Sequence, residues 1–401
     1  MISGDKVRNI IITGGELFNK GAQAMVFITV NELKKRYPEH RTYLLSEMDL
    51  RRSKAERDIY TFDFTGWYPI KFAKAQNNFF IKQMCKLRNA HEYNEAYELY
   101  SNCDLMIDIS GYALGSNWSY ETCTLYLDHL EFAKAFGIPM YIMPQSFGPF
   151  DFNENYACEL NNRIQRLLAS AKVVCAREQE GFNGLIDHYH LSNVVQKVDL
   201  VLNSKGFDIS SIYKKPPVLE EYFFTDKTVG IIPNSMTETV CEKGQIKNLY
   251  EAIIQLLIHE GYYVYLVAHA ESDFDLCRDI KKMFDSDRVV MIDKDLSCIE
   301  FSNLVSKFEF IIASRFHSIV HSFKNNVPCI ALGWAQKYQE LMSLFHQEAY
   351  AFDFRKEFSI DCLVEQVKKL EKNLSSEKET LLATLQELQS KNVFDILPVN
   401  L

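Results

Sequence analysis

Short runs of β-branched and apolar residues alternate with stretches of helical periodicity along most of this chain, and that alternation leaves few folds open to it. "VRNIIIT" (7–13) ends at Gly14-Gly15 and is followed by a segment with Val26, Val30, Leu33 and Tyr37 on one helical face. "TYLLSE" reads as a second strand. "DLMIDISG" (104–111) is a continuous apolar run closed by glycine, as expected of a strand buried on both faces. A helix stopping at Gly137, the strand "IPMYIMP", a helix through 153–171, the strand "KVVCA" and a short helix at 178–187 continue the pattern. Periodicity is lost around 204–226, where Pro216-Pro217 stand. The alternation then restarts with "TVGIIP", "YYVYLVA", "RVVMID", "FEFIIAS" and "VPCIALG", each followed by a helical segment, and two helices close the chain from 359 to about 392.

Strands spaced by helices require parallel βαβ units with right-handed crossovers. Two such blocks predict an α/β protein of two Rossmann-like domains facing a cleft. The expected division is 1–205 for an N-terminal domain, 206–226 for a linker and 227–345 for a C-terminal domain. Residues 346–401 are expected to be helices packing back across the domain junction, and a length of 401 residues accords with two cores rather than one.

The formal net charge of −9, with no run of like charge, removes the basic footprint that nucleic-acid binding needs. An anionic ligand must then be caught by a few local cations. Ten cysteines include no C-x-x-C pair, which argues against a zinc cluster and fits a reducing compartment. The first residues show no apolar signal core, and nothing reaches the length of a membrane span. The expectation is a cytoplasmic protein without a transmembrane segment.

In doubly wound sheets ligands bind at the carboxyl ends of the strands, so polar residues just past a strand are the candidates. "TGGELFNKGAQAM" (13–25) places Gly14, Gly15, Asn19, Gly21 and Gln23 between the first strand and first helix. Its glycine spacing is neither the dinucleotide fingerprint nor a P-loop. It reads either as a close backbone approach to an anion or sugar hydroxyl, or as an ordinary turn. Gly111 and Gln145 stand at the next strand tips, with a structural turn as the competing reading. Arg177, directly after "KVVCA", is either an anion clamp or the partner of the adjacent Glu178 and Glu180.

"ASRFHSIVHSF" (313–323) puts Arg315 and His317 at the mouth of a strand end, between Ser314 and Ser318, both helix-capping types and both expected to touch substrate. Histidine carries a proton mobile near neutrality, and arginine beside it supplies anion binding. The competing reading makes His317 a capping or packing residue. His321 shares its helical face, but no third ligand accompanies the pair, so metal is not expected. Lys337 follows the next strand and should stand at a neighbouring tip; neighbouring parallel strands lie about 4.8 Å apart. Arg315, His317 and Lys337 are therefore expected to line one pocket.

With these residues placed, the chain resembles the polysaccharide pyruvyl transferase family over about 10–345. The resemblance is carried, in order, by Gly14-Gly15…Asn19-x-Gly21, the glycine-bearing strand end near 111, "PQSFGP", "AREQEG", "DLVL", "VGIIPNS", "SRFHS" and "VPCIAL". Two departures stand out. Gly21-Ala22 replaces the Gly-Asp of many members, and the apolar Gly333-Trp334 replaces a more polar loop.

The resemblance implies a GT-B-like fold and transfer of an enolpyruvate-derived group from phosphoenolpyruvate to hydroxyls of a saccharide, as a ketal on a cell-surface or exopolysaccharide precursor. The acceptor is free or lipid-linked, and there is no cofactor beyond the donor substrate and no metal. His317 resembles the family's catalytic acid, with Arg315 assisting departure of phosphate, and Arg315, Arg177 and Lys337 resemble the groups that hold phosphate and carboxylate. Two rival expectations remain: a GT-B glycosyltransferase using a nucleotide sugar, and a glycan-binding homologue without turnover.

Overall fold

The computed structural model describes residues 8–66, 90–222, 224, 227–240, 244–333, 335–354 and 359–401; Trp334, Cys85, Cys241 and residues 223, 225 and 226 of the expected linker lie outside the described residues. The first domain is a parallel sheet of eight strands. They are β1 (Asn9–Thr13), β2 (Arg41–Leu45), β3 (Asp63–Thr65), β4 (Cys103–Asp108), β5 (Tyr112–Leu114), β6 (Met140–Phe147), β7 (Val173–Ala176) and β8 (Val194–Gln196). Their order is β3-β2-β1-β4-β6-β7-β8, with β5 added to β6.

Its helices include α1 (Lys20–Arg36), α2 (Tyr120–Phe136) and α3 (Glu154–Leu168). The Asn19 side chain starts α1 by accepting from the Gly21 and Ala22 N–H groups. Ser119 caps α2, and Gly137 ends it in the left-handed region at φ 67°, as the sequence predicts. Alternation along β1 divides the core: Ile10 and Ile12 join the cluster that holds α1, whereas Ile11 packs with α2 and α3 on the opposite face.

The second domain holds β9 (Thr228–Ile232), β10 (Tyr263–Val267), β11 (Val289–Ile292), β12 (Phe310–Ala313), β13 (Cys329–Gly333) and β14 (Ala351–Asp353). Their order, β11-β10-β9-β12-β13-β14, is the doubly wound 3-2-1-4-5-6. Its helices include α4 (Gln245–His259), α5 (Cys298–Val305), α6 (Phe316–Lys324) and α7 (Gln336–Leu344). Each sheet has a switch point, between β1 and β4 in the first and between β9 and β12 in the second.

The domains meet without an intervening gap in the core. α1 packs on α5 and α6, and one continuous apolar cluster runs from Ile12 and Phe27 to Ile231 and Phe301. The expected linker is shorter than its composition suggests. Asp208 caps a turn of helix at Ile209–Ile212, Ile212 and Tyr213 are buried, and Tyr213 bridges Tyr60 of the first domain. The connection begins only after Tyr213, and Val218 within it is almost wholly exposed.

The two closing helices expected from 359 are instead one, α8 (Ile360–Leu388). "NLSSE" resembles a helix start, but no glycine or proline interrupts the segment, and Ser376 turns its hydroxyl back to the Asn373 carbonyl. α8 packs on α4 and α6, and the residues after it return to the first domain. There Asn203 donates to the Leu388 and Lys391 carbonyls, and Arg36 pairs with Asp395 at 2.7 Å.

Candidate active site

The two switch points face each other across a cleft of about 760 Å³. From the first domain it is lined by Gly14, Gly15, Asn19, Gly111 and Arg177; from the second by Arg315, His317 and Lys337. The structure therefore brings together the tips of β1, β4, β7, β12 and β13.

β12 ends at Ala313, and Arg315 occupies the N-cap position of α6 with no side-chain cap. Neither serine serves as the cap. Ser314 and Ser318 are fully buried: the Ser314 hydroxyl pairs with the Tyr250 hydroxyl and that of Ser318 with His269 Nδ1, each at 3.0 Å. These contacts correct the expectation that the two serines touch substrate. Arg315 forks onto buried Asp273, with Nε donating to Oδ2 at 2.9 Å and Nη2 to Oδ1, while Nη2 also donates to Ser272 Oγ. Its guanidinium is thus held rigidly at the cleft.

His317 lies one turn into the cleft wall, with 16% of its side chain exposed. Its ring rests on Gly21 of the first domain, where an added Cβ would lie 2.2 Å from Cγ. Gly21 therefore serves the approach of the imidazole. Nε2 stands 3.7 Å from Asp199 Oδ2 and has no hydrogen-bond partner. Burial lowers the imidazole pKa to about 4, with the charges of Arg177 and Lys337 adding to it against the opposing pull of Asp199. With its pKa held there, the imidazole is neutral near pH 7.

Arg177 resolves toward the ion-pair reading. Nε donates to Glu178 Oε1 (2.8 Å), Nη1 to Asp199 Oδ2 (2.7 Å) and Nη2 to Ser146 Oγ (2.6 Å). Its guanidinium stacks 4.3 Å from the Phe316 ring centroid. With all three nitrogens engaged, Arg177 contributes field and scaffold rather than an open clamp. Lys337 places its ammonium 4.8 Å from the Tyr112 ring centroid across the cleft. Burial, then the charges of Arg177 and Arg315, lower its pKa to about 8.

Two further expected contacts fall away. Gln145 is fully buried behind the cleft, donating to Asp108 Oδ1 and the Tyr126 hydroxyl. Gln23 is buried between the domains, where it donates to the Leu17 carbonyl and accepts from the Cys298 N–H. The Gln145 NH2 group and both polar atoms of the Gln23 amide are engaged by protein, so the two side chains support the site from outside it. Gly14, at φ 74°, lets β1 and β4 converge: a Cβ there would come 2.7 Å from the Ser110 backbone.

Sequence reasoning missed Asp199 and Asp273, the carboxylates that position Arg177 and Arg315, and it missed Asn234 and His269 in the cleft. The strand-tip rule applied to β9 and β10 finds the latter two; Asp273 carries no local signal. Among the described residues no cluster of three or more His, Cys, Asp or Glu is arranged for a metal ion, and no helix is long and apolar enough to cross a membrane.

The family model for polysaccharide pyruvyl transferase matches residues 19–336. No curated protein matches it by sequence. Among solved structures, a UDP-N-acetylglucosamine 2-epimerase aligns with TM-score 0.58 at 14% identity, covering 98% of this chain and 94% of that one. An S. aureus MnaA–UDP co-structure gives 0.55 at 11% identity over 97% and 92%, and the spinosyn rhamnosyltransferase SpnG gives 0.51 at 8% identity over 96% of each chain. These likenesses show the fold, a two-domain GT-B arrangement.

Proposed function

The chain belongs to the polysaccharide pyruvyl transferase family, and from that premise we propose that it transfers the enolpyruvate-derived group of phosphoenolpyruvate to hydroxyls of a saccharide, closing a pyruvate ketal and releasing phosphate. The observation that carries this reading is the setting of His317 and Lys337. Both have their charged forms disfavoured by burial and by neighbouring cations. A small, highly charged anion relieves both penalties at once, which suits a donor carrying carboxylate and phosphate together.

The chemistry then follows from the residues. The donor's charges raise the His317 pKa, so the imidazole gains a proton as the donor binds. His317 passes that proton to C3 of the enol, and C2 takes on oxocarbenium character. One acceptor hydroxyl adds to C2 and returns its proton to the now neutral His317. The C2–O bond to phosphate then breaks, its electron pair leaving with phosphate, as a second acceptor hydroxyl bonds to C2 and its proton passes to the departing phosphate, whose charge Arg315 and Lys337 compensate. Positioned acid catalysis of this kind is worth about 10²–10⁴-fold. The acceptor is assigned to the saccharide precursors of a surface or secreted polysaccharide.

The test is incubation of the purified chain with phosphoenolpyruvate and a panel of oligosaccharide acceptors, following phosphate release and the mass of the product. Acceptor-dependent phosphate release with addition of one pyruvyl ketal supports the reading. Release of a nucleotide from nucleotide sugars, with phosphoenolpyruvate untouched, makes the protein a glycosyltransferase. Binding of glycans with neither reaction makes it a glycan-binding homologue.

A further inference from the structure

The two walls of the cleft differ in chemistry. The second-domain wall is cationic and polar around Arg315, His317 and Lys337. The first-domain wall carries Glu16 and Glu47 among Met48, Tyr112, Trp118 and Leu125. Trp118, Met48 and Leu125 are 40%, 53% and 42% exposed, and large apolar side chains left open inside a cleft mark a binding surface. The Trp118 ring lies 5.4 Å from that of Tyr112, and Tyr112 is held in place by its hydroxyl, which donates to the Gly148 carbonyl and accepts from Asn117 Nδ2.

We propose that this first-domain wall is the acceptor site, taking an uncharged pyranose against Trp118 with its hydroxyls donating to Glu16 and Glu47, and that the two carboxylates exclude acidic sugars. The assignment rests on the pyruvyl-transfer reading of the same cleft.

Three physical arguments converge on it. An indole presents a negative π-face that attracts the weakly positive C–H face of a pyranose, and its area is bound at little entropic cost. Carboxylates accept hydrogen bonds from sugar hydroxyls more strongly than neutral acceptors do. The same groups repel a uronate. Glu16 is reinforced in this by Asp49: crowding and that neighbouring charge already raise the Glu16 carboxyl pKa, so a further anion beside it is disfavoured. Glu47 stands 3.9 Å from Arg51. Tyr112 ties the two walls together, since it touches both Trp118 and the Lys337 ammonium. A sugar on Trp118 thus lies one aromatic ring away from the cations assigned to the donor.

The experiment uses the full chain, with methyl glucoside, methyl galactoside and methyl N-acetylglucosaminide as neutral probes, and methyl glucuronide and methyl galacturonide as acidic ones. Binding is read by saturation-transfer NMR, and phosphoenolpyruvate binding is read separately by calorimetry. The expected result is binding of at least one neutral probe, with its uronate counterpart at least about tenfold weaker. Trp118→Ala should weaken the neutral probe by at least about tenfold while phosphoenolpyruvate affinity stays within about twofold, which also reports an intact fold. The double variant Glu16→Gln/Glu47→Gln should bring the acidic probes into the range of the neutral ones. Neutral probes that fail to bind, or bind equally well to Trp118→Ala, overturn the proposal, as do uronates that match their neutral counterparts in the wild type. Failure of phosphoenolpyruvate to bind while the sugars behave as expected overturns the transfer reading instead, so the two failures are distinguishable.

Discussion

Gly21 and His317 belong to different domains, yet the imidazole rests so closely on the glycine that a Cβ would lie 2.2 Å from its Cγ. Alanine in a helix is ordinarily better than glycine by about 0.5–1 kcal/mol, so helix propensity alone would make Gly21→Ala stabilising. The steric clash predicts the reverse. Gly21→Ala should displace His317, lower turnover by at least about tenfold and reduce the melting temperature. In a Gly21→Ala/His317→Ala double variant the ring contacts are removed but the Cβ of residue 317 still lies 2.5 Å from the new one, so the melting temperature should recover only in part, while turnover stays low. Thermal melts beside phosphate-release rates check both halves.

His317→Ala should reduce turnover by about 10²–10⁴-fold while leaving much of the affinity for phosphoenolpyruvate. Because a pKa near 4 leaves the imidazole neutral near pH 7, donor binding at that pH should take up a proton. Calorimetry in buffers of different ionisation enthalpy reads that uptake directly. It should vanish in His317→Ala. Near-normal turnover from a folded His317→Ala protein would contradict the acid assignment.

Arg315→Lys keeps the charge but loses the planar fork that spans both oxygens of Asp273. Donor affinity and turnover should fall together. Lys337 makes a separate prediction. With its pKa lowered to about 8, it is a cation below that value and loses its charge above it. Donor affinity should therefore weaken as pH rises through about 8, and Lys337→Arg, a cation throughout this range, should abolish that limb.

Stability should fall on the acid side. Burial lowers the pKa of His317 to about 4, and of His321 and His129 to about 3, from an ordinary value of 6.5. Below about pH 6.5 the unfolded chain binds protons that the folded chain refuses, and each such histidine costs about 1.4 kcal/mol per pH unit until its own folded pKa is reached. Denaturant titrations at stepped pH should show this loss beginning near 6.5. His321→Gln, at a packed position against Phe301, should make the slope shallower.

The C-terminal segment supplies a fifth test. Removing 389–401 deletes the contacts of Val393 and Asp395 with Asn203 and Arg36, so the truncated chain should melt at a lower temperature. Unchanged melting would mean that the return to the first domain contributes nothing.

The long buried strands were legible because continuous apolar runs bounded by glycine leave little else for a chain to do. β3, β5, β8 and β14 were not, since three residues carry no period. Strand-tip position picked out Arg315, His317 and Lys337, because parallel topology alone determines where a residue after a strand must stand. It could not separate cleft from interior: Gln145, Ser314 and Ser318 sit at strand ends too, but buried partners take the Gln145 NH2 group and the two serine hydroxyls. Asp199 and Asp273 act through pairings across sequence distance; the "DLVL" motif marks Asp199 without showing its partners, and no local pattern marks Asp273.

The seating of His317 against Gly21 and Asp199 also bears on how far this architecture is modular. Two sheets with complete strand orders invite recombination, as though one half could be exchanged for another with a different acceptor. Yet the histidine carried by one half is shaped and oriented by backbone and carboxylate of the other. A chimera joining a foreign first half to residues 227–401 would keep both sheets and lose the fit between them, unless the equivalents of Gly21 and Asp199 travel with it. For engineering, the heritable unit is this cross-domain contact rather than either half alone.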